Sequence, residues 1–348
     1  MLQSHEIAAT AGFLVRSQLP NGLIPWFEGG PIDPWNHLEA AMGLAIGGRA
    51  DEAIEALGAL VRLQNADGSF CHYYLANGVK EPNRDTNVTS YIAVGLLGVM
   101  AYVRGFESEE LFASVLAALD YVVALQRRDG SIPMMCRADG TIYERSLLAG
   151  SCSILNALEA GRVLAGVYEC ERPEWKIAEL SLGEYLAGAR MGVLDKSDWA
   201  MDWYYPALCG LARHEPQRAS IASLGEGAGR FLSPGLGVRC IASRPWYTAA
   251  ETAEAAMAFS IVGDPEVARQ ALGATRRFRR EDGSYYTGLV DPGDVSYPGG
   301  EASTYTAAAV LIANEIADGP ASFSLADHFA RRLEAQRSST APRTHNSK

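Results

Sequence analysis

The sequence predicts an all-α protein, an (α/α)6 toroid with six inner helices ringed by six or seven outer ones. Two observations carry this. A short turn phrase recurs, and two different kinds of helical segment alternate between its copies. The phrase reads Gln64-Asn-Ala-Asp-Gly68-Ser-Phe70 and Gln126-Arg-Arg-Asp-Gly130-Ser-Ile132. A looser copy, Gln18-Leu-Pro-Asn-Gly22-Leu-Ile24, precedes them, and a late copy, Arg279-Arg-Glu-Asp-Gly283-Ser-Tyr285, has Arg in place of Gln. Asp-Gly is a strong turn signal, and a unit recurring every ~50 residues marks a repeat architecture.

The outer elements are amphipathic, with apolar positions at helical spacing over 6–17, 51–64, 109–126, 173–189, 265–279 and 325–337. The inner elements are rich in Ala, Gly, Ser and Leu and carry few charges after their first turn. They begin at His37-Leu-Glu-Ala, Thr89-Ser-Tyr-Ile, Ala149-Gly-Ser-Cys, Trp203-Tyr-Tyr-Pro, Thr252-Ala-Glu-Ala and Thr304-Tyr-Thr-Ala. A helix apolar all round is a buried one, and strand signals are scarce. Each turn phrase delivers the chain from an outer helix to the start of the next inner one. All six inner N-termini should therefore surround one funnel mouth, where free N–H groups favour carboxylates and anions.

At 348 residues and 48% hydrophobic content the chain can bury a large core. No linker divides it, so residues 1–337 are expected to form a single domain and 338–348 a disordered polar tail. A net charge of −11 argues against nucleic acid as a partner. No transmembrane segment is expected, because no apolar run approaches the ~18 residues a bilayer requires. No basic-plus-apolar leader is evident. The six cysteines contain no Cys-x-x-Cys pair, which fits free thiols in the cytoplasm. No metal signature and no cofactor motif are present.

The inner-helix starts supply the candidate site. They read Asp33-Pro-Trp35-Asn36-His37-Leu-Glu39, Asn83-Arg84-Asp85-Thr-Asn87, Tyr143-Glu144-Arg145, Asp198-Trp199-Ala-Met-Asp202-Trp203-Tyr204-Tyr205, Arg244-Pro-Trp246-Tyr247-Thr-Ala-Ala-Glu251-Thr-Ala-Glu254 and Tyr297-Pro-Gly-Gly-Glu301. Asp33 before Pro34 reads as an N-cap, and Asp85 similarly. Thr248 to Glu251 has the spacing of a capping box, as does Asn36 to Glu39. Asp202 and Glu254 lie beyond capping positions among apolar residues, and buried carboxylates are rare without a partner or a role.

The Gln-x-x-x-Gly-aromatic phrases resemble the QW repeats of squalene and hopene cyclases, whose toroid the protein prenyltransferase β-subunits share. The chain as a whole is similar to actinobacterial prenyltransferase-like proteins. The resemblance implies the toroid, and glucoamylase-like hydrolases, unsaturated-uronyl hydrolases and some polysaccharide lyases use the same barrel. The cyclase Asp-x-Asp-Asp motif is absent, Asp198-Trp-Ala-Met-Asp202 having the wrong spacing. The magnesium-binding Asp-Asp-x-x-Asp is also missing.

Aromatic rings beside carboxyl and amide groups suit sugars, which offer apolar ring faces and hydroxyls. Glycoside hydrolysis needs two carboxyl groups flanking the scissile bond. The expectation is a glycoside hydrolase or lyase acting on an oligosaccharide or small molecule, with Asp202, Glu254 and Glu251 as catalytic carboxylates. Trp35, Asn36, His37, Glu39, Asp85, Asn87, Trp203, Tyr204, Arg244, Trp246, Tyr247 and Glu301 would bind substrate. The alternatives are a terpenoid cyclase or prenyltransferase-like enzyme, and a non-catalytic glycan-binding or scaffold toroid.

Overall fold

A computed structural model describes residues 1–317, 319 and 322–340. Fourteen α-helices are present among them. These are α1 (Ser4–Ser17), α2 (Pro34–Ile46), α3 (Ala50–Val61), α4 (Thr86–Ser90), α5 (Ile92–Tyr102), α6 (Glu109–Ala124) and α7 (Leu148–Val167). They continue with α8 (Pro173–Ala187), α9 (Ala200–Leu208), α10 (Ala219–Phe231), α11 (Ala249–Ile261), α12 (Pro265–Ala274), α13 (Thr304–Ala317) and α14 (Leu325–Thr340). Helices α2, α5, α7, α9, α11 and α13 pack successively on one another, and α13 returns to α2, closing an inner ring of six. Helix α4 leads into α5 through Tyr91, so the two form one inner element. The ring closes tightly because its facing residues are small. A Cβ on Gly43 would lie 3.0 Å from Ala308 of α13, and one on Gly95 2.5 Å from Leu38 of α2. The (α/α)6 expectation holds.

The repeated turn is a clamp. In each copy a tight loop is closed by a backbone bond, as in Asn65 N–H to Ser69 C=O at 2.9 Å and Arg280 N–H to Ser284 C=O at 2.8 Å. The Gln amide then donates twice, to the loop's glycine carbonyl and to the next outer helix. Gln18 reaches Gly22 and Glu52, Gln64 reaches Gly68 and Ser114, and Gln126 reaches Gly130 and Ala178, all within 2.8–3.1 Å. Each glycine has positive φ and lies against the following outer helix, with a hypothetical Cβ 2.2 Å from Ala117 O at Gly68 and from Ser181 O at Gly130. At the fourth copy, Gly283 lies against Ala9 of α1, which joins the last unit to the first. Arg276 reinforces that seam by pairing with Glu6 at 2.9 Å, which holds the Glu6 carboxyl down at about 2.

The two ends of the barrel differ. Connections from inner to outer helices are short, spanning 47–49, 103–108, 168–172, 209–218 and 262–264. Those from outer to inner span 18–33, 62–85, 125–147, 188–199, 232–248 and 275–303, so the elaboration lies on the mouth face. This face carries two antiparallel sheets. One contains β1 (Cys71–Leu75), β2 (Gly78–Asp85) and β3 (Met135–Cys136). The other runs in order through β4 (Leu232–Ser233), β5 (Gly237–Arg239), β6 (Trp246–Thr248), β7 (Gly288–Val290) and β8 (Val295–Ser296). Their strands are mostly too short for a period-2 pattern to register.

Two outer elements depart from expectation. Helix α10, which carries Gly225, Gly227 and Gly229, was not among the expected outer segments, and it completes an outer ring of six with α1, α3, α6, α8 and α12. Helix α14 packs on α5 and α7 and covers the inner helices' C-terminal end instead of extending the outer ring. It is pinned there by Ser324 Oγ donating to Glu159 at 2.6 Å and by Ala326 N–H donating to Asn156 at 2.9 Å. Leu325 then plugs the axis beside Glu39, Tyr91 and Glu254. Helix α14 runs through Thr340, beyond the boundary expected at 337, and the rest of the tail lies outside the described residues.

Candidate active site

The funnel has a floor and a mouth. On the floor, one turn inside the inner helices, Tyr91 donates to Glu39, and Tyr204 donates to Glu254. Tyr205 donates to the other Glu254 oxygen at 3.3 Å. Tyr305 of α13 adjoins the same carboxyl. Glu39 and Glu254 are each 3% exposed. Burial pushes the Glu39 carboxyl up to about 7, while the Tyr91 hydroxyl opposes it. Burial likewise drives Glu254 upward, and the charges of Glu39 and Glu251 add to it. These carboxyls face the axis, as expected, but tyrosine hydroxyls occupy them. Glu39, Tyr204 and Glu254 thus form a bonded network on the funnel floor.

Glu39→Gln tests this reading. The amide still accepts from Tyr91 but cannot ionise. In the wild type the folded carboxyl keeps its proton up to about 7, while the unfolded one releases it near its ordinary value. Wild-type stability therefore falls across that interval, because the unfolded state binds fewer protons. The variant should show a stability advantage that grows as pH rises from 4.5 to 7 and then levels, reaching about 3 kcal/mol in denaturant titrations. An advantage that is the same at pH 4.5 and pH 8 would refute it.

At the mouth, acids stand on two facing walls. On the α2/α4 wall, Asp33 caps α2 through Trp35 N–H at 2.8 Å, and Asp85, the last residue of β2, caps α4 through Val88 N–H at 2.9 Å. Both are buried. Burial raises Asp33 to about 7, with the Asp85 charge adding to the rise and His72 opposing it. Asp85 is also raised, by burial, against the pull of His72. The capping expectation for both holds, and neither is only a cap.

On the α9/α11 wall, Asp202 accepts from Ala149 N–H at 3.1 Å, and burial raises its carboxyl. Glu251 sits half-buried in the first turn of α11, one turn toward the mouth from Glu254. Thr248 caps α11 without a side-chain bond, its hydroxyl unpartnered, so the capping-box reading of Glu251 fails; the Glu251 carboxyl lies instead beside the Cys240 thiol, which burial, and then this carboxyl's charge, push upward.

Between the walls, Trp35 stands 5.1 Å from the Tyr91 ring and 5.0 Å from the Tyr305 ring. Its indole Nε1 and the Asn87 Oδ1 are buried without partners among the described residues. Such atoms are costly to leave unpaired, and a sugar hydroxyl would satisfy both kinds. Asn36 is buried beside Trp35. Farther out, Trp246 donates to Tyr297 C=O at 3.1 Å, Arg244 is exposed, and Glu301 accepts from Thr287 at 2.9 Å.

Three residues expected in the funnel serve the scaffold. His37 accepts from Ile24 N–H at 3.0 Å and donates to Ala56 C=O at 2.9 Å, and burial lowers it to about 4. Trp203 donates to Leu224 C=O at 2.9 Å and stacks on Phe231, its ring filling the space above Gly227 of α10. The Tyr247 hydroxyl is held by Ser233 at 3.1 Å and Arg239 at 3.0 Å, outside the inner ring. Conversely, Tyr91, Tyr305 and His72 also belong to the funnel and were given no catalytic or substrate-binding part from the sequence. The recurrence of Tyr one turn into successive inner helices was the available signal. Among the described residues no group of three or more His, Cys, Asp or Glu side chains could hold a metal ion.

This architecture and sequence define a carbohydrate-active enzyme with glycosidase-type catalysis. The chain belongs to the family of MMP endo-(1,4)-3-O-methyl-alpha-D-mannosidase of Mycolicibacterium hassiacum, to which it is 36% identical over 316 residues, 90% of this chain and 86% of that one. No family model matches the chain. Among solved structures, a wild-type glycosidase superimposes with a TM-score of 0.68 at 17% identity, covering 91% of this chain and 99% of that one. An alpha-amylase from Clostridium perfringens gives 0.67 at 11% identity, with coverage of 90% and 98%. The cellobiose 2-epimerase of Spirochaeta thermophila gives 0.66 at 14% identity, with coverage of 95% and 96%. These three share the toroid.

Proposed function

We propose that the protein is an endo-acting mannosidase that hydrolyses α-(1→4) bonds in a 3-O-methylated mannose chain. Its kinship with the Mycolicibacterium hassiacum enzyme along nearly the whole chain carries this reading. The facing acid walls supply the chemistry. Asp33, protonated up to about 7, donates its proton to the departing glycosidic oxygen. Glu251 takes a proton from a water that attacks the anomeric carbon from the other side. Asp202, with Asn36 and Asn87, accepts or donates to sugar hydroxyls, and Trp35 stacks on a ring face. An inverting course is proposed for this pair; it requires the two carboxyls to stand about 6.5–9.5 Å apart, with room for the water between them. The turns shared with cyclases and prenyltransferases serve here as scaffold, and the free, mostly buried cysteines suit a cytoplasmic setting.

Offering the pure protein α-(1→4)-linked 3-O-methylmannose oligosaccharides tests this. Mass spectrometry should show internal cleavage without added metal, and early NMR spectra should show the β-anomer of the new reducing end. First appearance of the α-anomer would replace inversion by retention. Inertness toward these saccharides, with turnover of prenyl diphosphates or polyenes, would overturn the reading in favour of the terpenoid one.

A further inference from the structure

A second concavity opens on the mouth face, away from the acid walls. It is a groove of about 780 Å³ between the last turn of α1 and the two loops that lead into α2 and α13. That volume is within the ~300–1,000 Å³ usual for small-ligand sites. The loops brace each other: Phe27 pairs with Ser303 across an antiparallel bridge, and Thr304 donates to Trp26 C=O at 2.8 Å through its N–H. The groove therefore lies on backbone fixed to the feet of two inner helices. Glu301, three residues ahead of α13, lines it at the funnel end.

Its chemistry is that of a neutral, hydroxylated ligand. The half-buried Phe27 ring packs against Gly30, where a Cβ would be 2.9 Å from it, so the glycine makes room for the ring at the groove wall. Arg16 and Arg280 stand against Glu28, Asp282 and Glu301, so neither sign of charge dominates. Glu28 is exposed and, among the described residues, has no hydrogen-bond or ion-pair partner. An aromatic face beside mixed polar groups offers stacking and hydrogen bonds together, as a pyranose needs.

We propose that this groove is a distal glycan subsite, holding the part of a mannose chain that extends beyond the cleavage point over the α13 foot. The inference rests on the proposed endo-mannosidase reading and adds where the polymer lies. It makes Phe27 and Glu28 determinants of chain-length preference, remote from the reacting bond.

Calorimetry on the Glu251→Gln variant separates binding from turnover, with 3-O-methylated α-(1→4)-mannose tetramers and octamers as probes. The octamer should bind at least ~10-fold more tightly. Adding Phe27→Ala should remove most of that difference while leaving tetramer affinity unchanged, and Glu28→Gln, at an exposed position that cannot perturb folding, should reduce it partly. Equal affinity for both lengths, or equal weakening of both by Phe27→Ala, would overturn the subsite. Mass spectrometry of wild-type products runs in parallel. Length-dependent binding without cleavage would sink the hydrolase reading and leave the subsite standing, whereas cleavage with length-independent binding would do the reverse.

Discussion

Asp33→Asn and Glu251→Gln should each lower kcat by roughly 10²–10⁴ with little change in folding, the usual worth of a positioned acid or base. The substitutions are nearly isosteric, and in Asp33→Asn the side-chain amide oxygen can still accept from Trp35 N–H, the bond that caps α2. Thermal unfolding should therefore remain within a few degrees of wild type. The pH profile gives an independent reading. A proton donor acts in its protonated form, so kcat should fall as pH rises through about 7, the value to which burial and the Asp85 charge bring Asp33. That alkaline limb should disappear in Asp33→Asn. Asp202→Asn is the decisive comparison, because Asp202 is also raised by burial. If it removes turnover and the alkaline limb while Asp33→Asn retains both, Asp202 is the donor and the assignment is reversed.

Gly283→Ala should destabilise the protein by about 3–4 kcal/mol, from an unfavourable left-handed backbone and forced movement of a packed helix. Gly283 has φ +88°, and a Cβ there would lie 2.4 Å from the Ala9 carbonyl carbon and oxygen and 2.8 Å from the Thr10 nitrogen. Because these are backbone atoms, α1 as a whole would have to shift, and the seam between the last and first units would open. Gly140 is the control: its φ is +87° with nothing within 4 Å, so Gly140→Ala should cost only about 1 kcal/mol of backbone strain. Chemical denaturation of both variants checks the comparison. Equal losses would mean that backbone conformation alone, and not contact between units, makes the glycine necessary.

The toroid was legible because its logic is local. A run of small residues such as Thr304-Tyr-Thr-Ala-Ala-Ala allows an inner helix, and the Gln/Asp-Gly phrase specifies both a turn and its end of the barrel. The direction in which a polar side chain points was less legible. Trp203 and Tyr204 are adjacent in sequence, yet Trp203 turns outward because Gly227, far along the chain, leaves space for its ring. His37 has the appearance of a funnel residue until its two backbone partners, Ile24 and Ala56, are in place. Asp33 read as an ordinary cap, and so it is. Only folding brings Asp85 and His72 beside it and changes what its proton does. The position of α14 was hidden for a related reason: amphipathic periodicity marks a face to be covered but not which surface covers it.

The position of α14 also bears on how a polymer can be handled. With Leu325 in the axis and Ser324 and Ala326 tied to α7, the barrel has no rear exit among the described residues. A chain cannot be threaded through the ring and cut as it advances, as a sliding, processive enzyme would do. Both fragments must leave across the mouth face, the same face on which the distal groove lies. Internal cuts made there should let intermediate lengths accumulate early.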